Sequence, residues 1–309
     1  MKHIAFTIDR KFVRFCAVTM VSVMENDNPA DLTFHIIAND LLEEDRKILS
    51  GLVQNYGSCI FFYQVSAVKM AGYTIRWEKK RLSEVVFYRC LLGSILPDSI
   101  SKVLYLDCDI LVLQPLDELW NTDIENKVLA AIPDSYQVNV RHCRRLEYDI
   151  SYNYFNGGVL LLNLAYWRQY HLEERCKAFY QAHPDKILYN DQDLLNGLFY
   201  DQKVLVDMKW NVQEGAYRIP KGRTAHWCPP YIETLKHPAI LHYSARKPWQ
   251  YHCMHPLRNL YLYYQKLTPW KDEHVLNHYG ARIHRFLHML PYTLHLKKGK
   301  YLDIHILGF

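Results

Sequence analysis

The first 65 residues alternate between strand-like and helix-like segments, and this alternation constrains the fold more than any other feature of the chain. "HIAFTI" (3–8) is a short apolar run closed by Asp9, and "CAVTMVSVMEN" (16–26) has helical spacing. "LTFHIIAND" (32–40) is a second strand ending in turn residues, and "CIFFYQV" (59–65) is a third. Between them, "LLEEDRKILSGLVQNYG" (41–57) sets Leu42, Ile48, Leu49, Leu52 and Val53 on one helical stripe, and Gly57 stops it. This order, at short intervals, predicts a mostly parallel sheet flanked by helices. "SEVVFYRCLLGSIL" (83–96) predicts a further helix ended by Pro97, and "KVLYLD" (102–107) a fourth strand.

In open α/β sheets, ligands bind beyond the carboxyl ends of the strands. Asp9 follows the first strand, and Asp107 and Asp109 follow the fourth, so all three are expected on the ligand side. Two carboxylates at i and i+2 can share a hard divalent cation that keeps positions open for phosphate oxygens. They can equally form a turn in which one aspartate caps the backbone. His242 follows the short apolar run of "AILHYSARKPW" (239–249), with Lys247 five residues on. An imidazole completing a metal site, followed by a lysine to meet phosphate, is a coherent design; the alternatives are a structural histidine and a solvated lysine. Imidazole in the ligand set favours manganese over magnesium.

Other stretches carry weaker signals. Arg89 lies in the otherwise apolar "VVFYRCLL" and must snorkel or find an anion. "NDQD" (190–193) reads as a helix cap with two solvated acids. Asn156-Gly157-Gly158 reads as a turn before the apolar strand of "YNYFNGGVLLLNLAYW" (152–167).

Composition excludes several classes. Half of the 309 residues are hydrophobic (50%) and 22% are charged, the profile of a folded chain. Net charge is +5 with no dense Lys/Arg block, so nucleic acid is not an expected partner. No apolar run reaches the ~18–20 residues of a membrane span. The opening "MKHIAFTIDRKF" does not read as a signal peptide, because Asp9 and Arg10 interrupt a short apolar stretch. The expected location is the cytoplasm. Eight cysteines are scattered without a C-x-x-C pair, which argues against structural zinc and against a disulfide framework. From His274 onward there are five Lys/Arg against one acid, and six of the sixteen histidines. Within 278–309, Ile283, Phe286, Leu287, Leu290 and Leu294 share a helical stripe that Pro291 interrupts. This piece reads either as a helix packed on the main domain or as a peripheral attachment to an anionic membrane surface.

Six motifs in order, "HIAFTIDRKF", the segment with Arg89, "KVLYLDCDILVLQPLDELW", "YFNGGVLLLNL", "NDQDLLNGLF" and "HYSARKPW", resemble the family-8 retaining glycosyltransferases. The likeness is greatest to the bacterial lipopolysaccharide galactosyl- and glucosyltransferases. It implies a single Rossmann-like nucleotide-sugar-binding domain of GT-A type over residues 1–255, with a small helical, basic C-terminal appendage over 256–309. It implies transfer of a hexose from a UDP-sugar to a saccharide or lipid-linked saccharide hydroxyl, with manganese (or magnesium) as cofactor. Carried over residue by residue, Asp107, Asp109 and His242 match the metal ligands, and Lys247 matches the diphosphate-binding lysine. Asp9 and Phe12 match residues that hold uracil, and the backbone at Cys108 falls near the ribose. Arg89, Asn156, Asp191 and Gln192 match residues around the donor sugar, with Gln192, Asp191 and Arg89 as the catalytic candidates. Asp134 falls at an acceptor-side position. The turn here, "HYSARK", lacks the glycine usual in the family, and its lysine follows His242 by five residues rather than six. Two other readings remain. One is a haloacid-dehalogenase-type phosphatase with Asp107 as nucleophile, although that motif normally opens its fold and here three strand candidates precede it. The other is a non-catalytic nucleotide-sugar-binding protein.

Overall fold

Apolar runs too long for one-sided burial become central strands, and the structure is organised around them. The computed structural model describes residues 1–73, 84–219, 229–273, 278–294 and 296–304. Ser83, Cys228, His295 and residues 305–309, which figure in the sequence-based expectations, lie outside the described residues. The strands are β1 Lys2–Thr7, β2 Leu32–Ile37, β3 Cys59–Tyr63, β4 Lys102–Leu106, β5 Ile110–Val112, β6 Leu129–Pro133, β7 Phe155–Asn163, β8 Lys203–Leu205, β9 Val212–Gln213 and β10 Ile240–His242. The longer helices are α1 Val13–Asn26, α2 Glu43–Asn55, α3 Tyr136–Leu146, α4 Leu172–Ala182, α5 Asn190–Phe199, α6 Pro229–Lys236, α7 Arg258–Lys266 and α8 Tyr279–Thr293. The chain forms two compact units, neither contiguous in sequence. One comprises 1–16, 28–108 and 116–207; the other comprises 17–27, 109–115 and 208–309.

The first unit is a seven-stranded sheet in the order β3-β2-β1-β4-β7-β6-β8. β1 pairs in parallel with β2 and β4, β2 with β3, and β6 with β8, while β7 runs antiparallel to β4 and β6. All six residues of β2 and all nine of β7 are buried, as expected of strands covered on both faces. Helix α2 buries Leu49, Leu52 and Val53 of the predicted stripe, whereas Leu42, which precedes the helix, is exposed. The Asp45 carboxylate accepts from the Leu42 amide at 3.0 Å, which satisfies a donor at the helix start. Gly57 ends the helix at φ 79°, a left-handed conformation that glycine adopts without strain.

Two local expectations are corrected. Residues 84–91 form a 3-10 run rather than an α-helix, followed by one short helical turn at Leu92–Ile95. Phe87 through Leu91 are all buried, so there is no solvent face to carry an α-helical stripe. Asn156-Gly157-Gly158 is not a turn before a strand but lies within β7 itself, opposite a register shift at Ala131/Ile132 of β6.

The second unit holds a three-stranded sheet, β5-β10-β9. β10 is antiparallel to β5, with His242 opposite Ile110, and parallel to β9, with His242 opposite Gln213. Polar residues of α1 satisfy β5: Thr19 Oγ1 donates to the Ile110 carbonyl at 2.8 Å, and the Val112 amide donates to Ser22 Oγ at 3.0 Å. Asn26 Nδ2 donates to the Val112 carbonyl at 3.1 Å and to the Tyr264 hydroxyl of α7 at 2.7 Å. Buried hydroxyls in an otherwise apolar helix thus substitute for a further strand. In α8, Phe286 is 63% and Leu287 56% exposed. Among the described residues, no helix is long and apolar enough to cross a membrane.

Two buried histidines give the fold a pH signature. His35 on β2 lies within 3.0 Å of both Tyr63 Oη and His3 Nδ1, and burial, with His3 beside it, pushes its pKa down to about 4. Burial pushes His255 in the second unit down to about 3. The unfolded chain takes up protons near the ordinary value of ~6.5 while these folded groups do not, so stability falls as pH drops through that range. Lowering pH from 7 to 5 should cost about 2 kcal/mol per histidine. Urea unfolding of wild type and His35→Phe at the two pH values checks this, and the variant should show the smaller loss.

Candidate active site

A buried arginine organises the first unit's share of the site. Arg89, from the 3-10 run, lies 8% exposed with its guanidinium 4.2 Å from the ring centre of Tyr105 on β4. Nη1 donates to the Gly157 carbonyl at 2.5 Å, and Nη2 donates to Asp107 Oδ1 at 3.0 Å. Nε stands 2.8 Å from Asp191 Oδ2, an ion pair rather than an aligned hydrogen bond. Burial alone would lower the pKa of Arg89, but Asp191, with Tyr105 and Asp107, holds it above its ordinary value. Burial pushes the Asp191 carboxyl up to about 6 against the pull of Arg89. Gly157 packs closely here: a Cβ would meet Arg89 Nη1 at 3.2 Å, a tight approach that the guanidinium would have to yield to, and Gln192 Cβ at 3.5 Å.

Gln192, in the first turn of α5, is held at both ends of its amide. Its Oε1 accepts from the Gly157 amide at 2.8 Å and from Asn156 Nδ2 at 3.4 Å, and its Nε2 donates to Tyr154 Oη at 3.1 Å. Tyr154 in turn donates to Asp193 Oδ1 at 2.7 Å. Asp191 and Asp193 are not the solvated cap acids that the pattern "NDQD" predicts; both are buried. Asp193 takes two Arg145 contacts at 2.7 and 2.8 Å, and it accepts the amides of Leu188 and Tyr189.

At the carboxyl end of β1, Asp9 Oδ1 is shielded from solvent and has no hydrogen-bond partner among the described residues. Phe12 is 40% exposed and meets Phe15 edge-on. β1 and β4 are parallel neighbours, so Asp9 and Asp107 leave the same end of the sheet, as the pattern predicts. Cys108, between the two aspartates of the D-x-D, is buried. Asp134 follows β6; its amide donates to the Tyr154 carbonyl at 2.8 Å, and its side chain accepts from the Ser135 amide at 2.7 Å.

The second unit brings Asp109, His242 and Lys247 together. His242 Nε2 is 3.3 Å from Asp109 Oδ1, and Lys247 Nζ donates to Asp109 Oδ2 and, at 3.0 Å, to the Tyr243 carbonyl. His242 Nδ1 donates to Asn211 Oδ1 at 2.9 Å, which leaves Nε2 facing the carboxylate. Burial would raise the Asp109 pKa, but Lys247 and His242 hold it well below the ordinary carboxylate range. An imidazole nitrogen beside a carboxylate oxygen is the donor set of a borderline-hard divalent cation. Asp109 and His242 therefore fit a metal of the manganese type. His242 is the last residue of β10, not a residue beyond a strand.

Several functional neighbours escaped the sequence reading. Tyr105 donates to Asp107 Oδ1 at 2.7 Å, and the two-residue strand period could have placed both on one face. Tyr154, Arg145 and Asn211 gave no local signal, since their partners lie 31 to 48 residues away.

Residues 3–253 match glycosyl transferase family 8. The chain belongs to that family. It is 30% identical to General stress protein A of Bacillus subtilis (strain 168) over 278 residues, 87% of this chain and 94% of the relative. It is 25% identical to the lipopolysaccharide glucosyltransferase WaaO of Escherichia coli (strain K12), covering 95% of this chain and 87% of that one. Among solved structures, it is similar to the galactosyltransferase LgtC in complex with donor and acceptor sugar analogs. The TM-score is 0.75 at 27% identity, over 86% of this chain and 96% of LgtC. The fold is therefore of GT-A type, and the phosphatase alternative falls with the family assignment.

Because Asp193 is fully buried and answers Arg145, Tyr154 and two backbone amides, Asp193→Ala should destabilise the protein by about 3–5 kcal/mol. The urea unfolding midpoint reports this. A loss under ~1 kcal/mol would show that the network is replaceable by solvent.

Proposed function

We propose that this family-8 enzyme transfers a hexose, galactose or glucose, from UDP to a saccharide hydroxyl with retention of anomeric configuration. The product would belong to lipopolysaccharide or another surface glycan. The observation that carries the reading is Gln192, an amide fixed at both ends beside the buried Arg89–Asp191 pair. Double displacement needs a carboxylate under the anomeric carbon. Gln192 is a poor nucleophile, and Asp191 is buried against a guanidinium. Both facts favour a front-face reaction. The bond from the anomeric carbon to the diphosphate oxygen breaks, and the bond to the acceptor oxygen forms on the same face. The acceptor proton passes to the departing phosphate oxygen. Gln192 and Asn156 would stabilise the oxocarbenium-like centre with their dipoles, and Arg89 would orient the sugar hydroxyls.

Asp107, Asp109 and His242 would hold the divalent ion, manganese in preference to magnesium given the imidazole. Such an ion offsets the charge that builds on a departing diphosphate. Lys247 would supply further positive charge to the phosphates. Asp9 has a shielded, unpartnered carboxylate oxygen, which suits the N–H of a uracil, and exposed Phe12 suits its face. Asp134 would meet the acceptor, and the backbone at Cys108 the ribose.

The test is a panel of UDP-sugars with manganese, read as UDP release. One hexose donor should stand out, chelation should abolish release, and Asp109→Ala should lower it by about a hundredfold or more. Release of UDP from no donor, together with no UDP binding, would overturn the reading. Gln192→Ala should impair transfer strongly. A glycosyl-enzyme trapped on Asp191, with transfer lost only in Asp191→Asn, would replace the front-face route by double displacement.

The exposed α8 residues Phe286 and Leu287, with Arg282 and Arg285 on the same helix, support peripheral contact with an anionic membrane surface. Phe286→Ser/Leu287→Ser should then sediment less with phosphatidylglycerol-containing vesicles. Equal sedimentation would assign those residues elsewhere.

A further inference from the structure

A cavity of about 580 Å3 lies within the second unit, apart from the Asp109–His242–Lys247 cluster. Its charged and titratable lining is Arg218, Arg246, Lys298, Lys300, His252 and His288. The C-terminal segment closes one wall. The Ile219 amide donates to the Lys300 carbonyl at 2.9 Å, and the Leu302 amide donates to the Tyr217 carbonyl at 2.8 Å. Tyr301 Oη donates to Glu214, which is fully buried. Residues 300–302 are therefore bound to the fold by backbone pairing, and Lys298 and Lys300 line the cavity beside that pairing.

Among the described residues, Arg218 is compensated, with Nη2 2.7 Å from Glu214 Oε1. Among the described residues, Arg246, Lys298 and Lys300 have no acidic partner within ion-pair distance. Consecutive residues here serve different places: Lys247 reaches Asp109, whereas Arg246 lines the cavity with its amide donating to Glu214 Oε2. The two imidazoles register the positive field. Burial, and then Arg246 among the neighbouring cations, hold both His252 and His288 below the ordinary histidine value.

The three cations are open to solvent, which screens their mutual repulsion, and an anion entering the cavity would be attracted by all of them at once. A phosphomonoester brings nearly two negative charges and three acceptor oxygens, suited to a guanidinium and two ammonium groups. The volume exceeds the need of a bare phosphate and falls within the ~300–1,000 Å3 range of small-molecule sites. We propose that this cavity binds a phosphomonoester or phosphodiester group carried on a larger molecule, separate from the donor diphosphate. Two sources share that chemistry: a phosphorylated soluble saccharide and an anionic phospholipid headgroup.

The test uses the full chain and the variant Arg246→Gln/Lys298→Gln/Lys300→Gln. Arg218 is left intact because removing it would strand buried Glu214. Calorimetry with glucose 6-phosphate, and glucose as control, reads the soluble source. Sedimentation with phosphatidylglycerol-containing against phosphatidylcholine vesicles reads the lipid source. UDP binding and the thermal midpoint, unchanged in the variant, show that the fold is intact. Loss of about tenfold or more in affinity for either probe in the variant supports the site, and the probe affected identifies the source. Wild-type binding of neither probe, or binding of one or both that is indifferent to the three cations, overturns it. Failure of the wild type to bind UDP would count against the transferase reading and leave this result standing.

Discussion

The first unit's site depends on a guanidinium that has been taken out of water. Arg89 is buried, and a buried cation must be paired or its cost unfolds the region around it. It is answered by Asp191, the Gly157 carbonyl, and both Asp107 and the face of Tyr105 at the end of β4, which come from three separate stretches of chain. Each partner is fixed by the need to satisfy the same charge. The conformations at Gly157 in β7, at the start of α5 and at the end of β4 are therefore coupled, and Gln192 is ordered as a by-product. Side chains held this way are preorganised, since each is already fixed by partners within the fold.

The second unit applies the same logic with the signs reversed. There the buried group is a carboxylate, Asp109, answered by Lys247 and by an imidazole whose tautomer Asn211 sets. The supporting sheet is small, and the hydroxyl and amide groups of α1 complete the hydrogen bonding of β5. Buried polar residues in both units thus fix geometry rather than add stability, since a buried ion pair rarely exceeds the apolar alternative in net stability.

Much of this was legible in order along the chain. β1 to β3 and α2 follow from apolar runs and helical stripes, and the D-x-D with His242 and Lys247 was found by residue type and position. The misreadings have physical causes. "NDQD" looks like a solvated cap because sequence carries no information on burial; Arg145 and Arg89, 48 or more residues away from their partners in "NDQD" along the chain, draw its acids inward. Asn156-Gly157-Gly158 looks like a turn because glycine usually frees the backbone, yet here Gly157 is small to admit Arg89 and Gln192. The stretch 84–91 looks helical by its apolar content, but five consecutive buried residues give it no solvent face.

The sequence by itself determined the α/β class, the mostly parallel sheet, and the aspartates placed at the carboxyl end of that sheet. These follow from local periodicity and from the chain direction of parallel strands, both of which are written in adjacent residues. Only the tertiary structure decided which charges meet. That Arg89 joins Asp107 to Asp191, that Tyr154 bridges Gln192 and Asp193, and that Lys298 and Lys300 come to Arg246 are matters of long-range closure. Burial sets the cost of each charge, and burial is a property of the packed chain rather than of any segment of it.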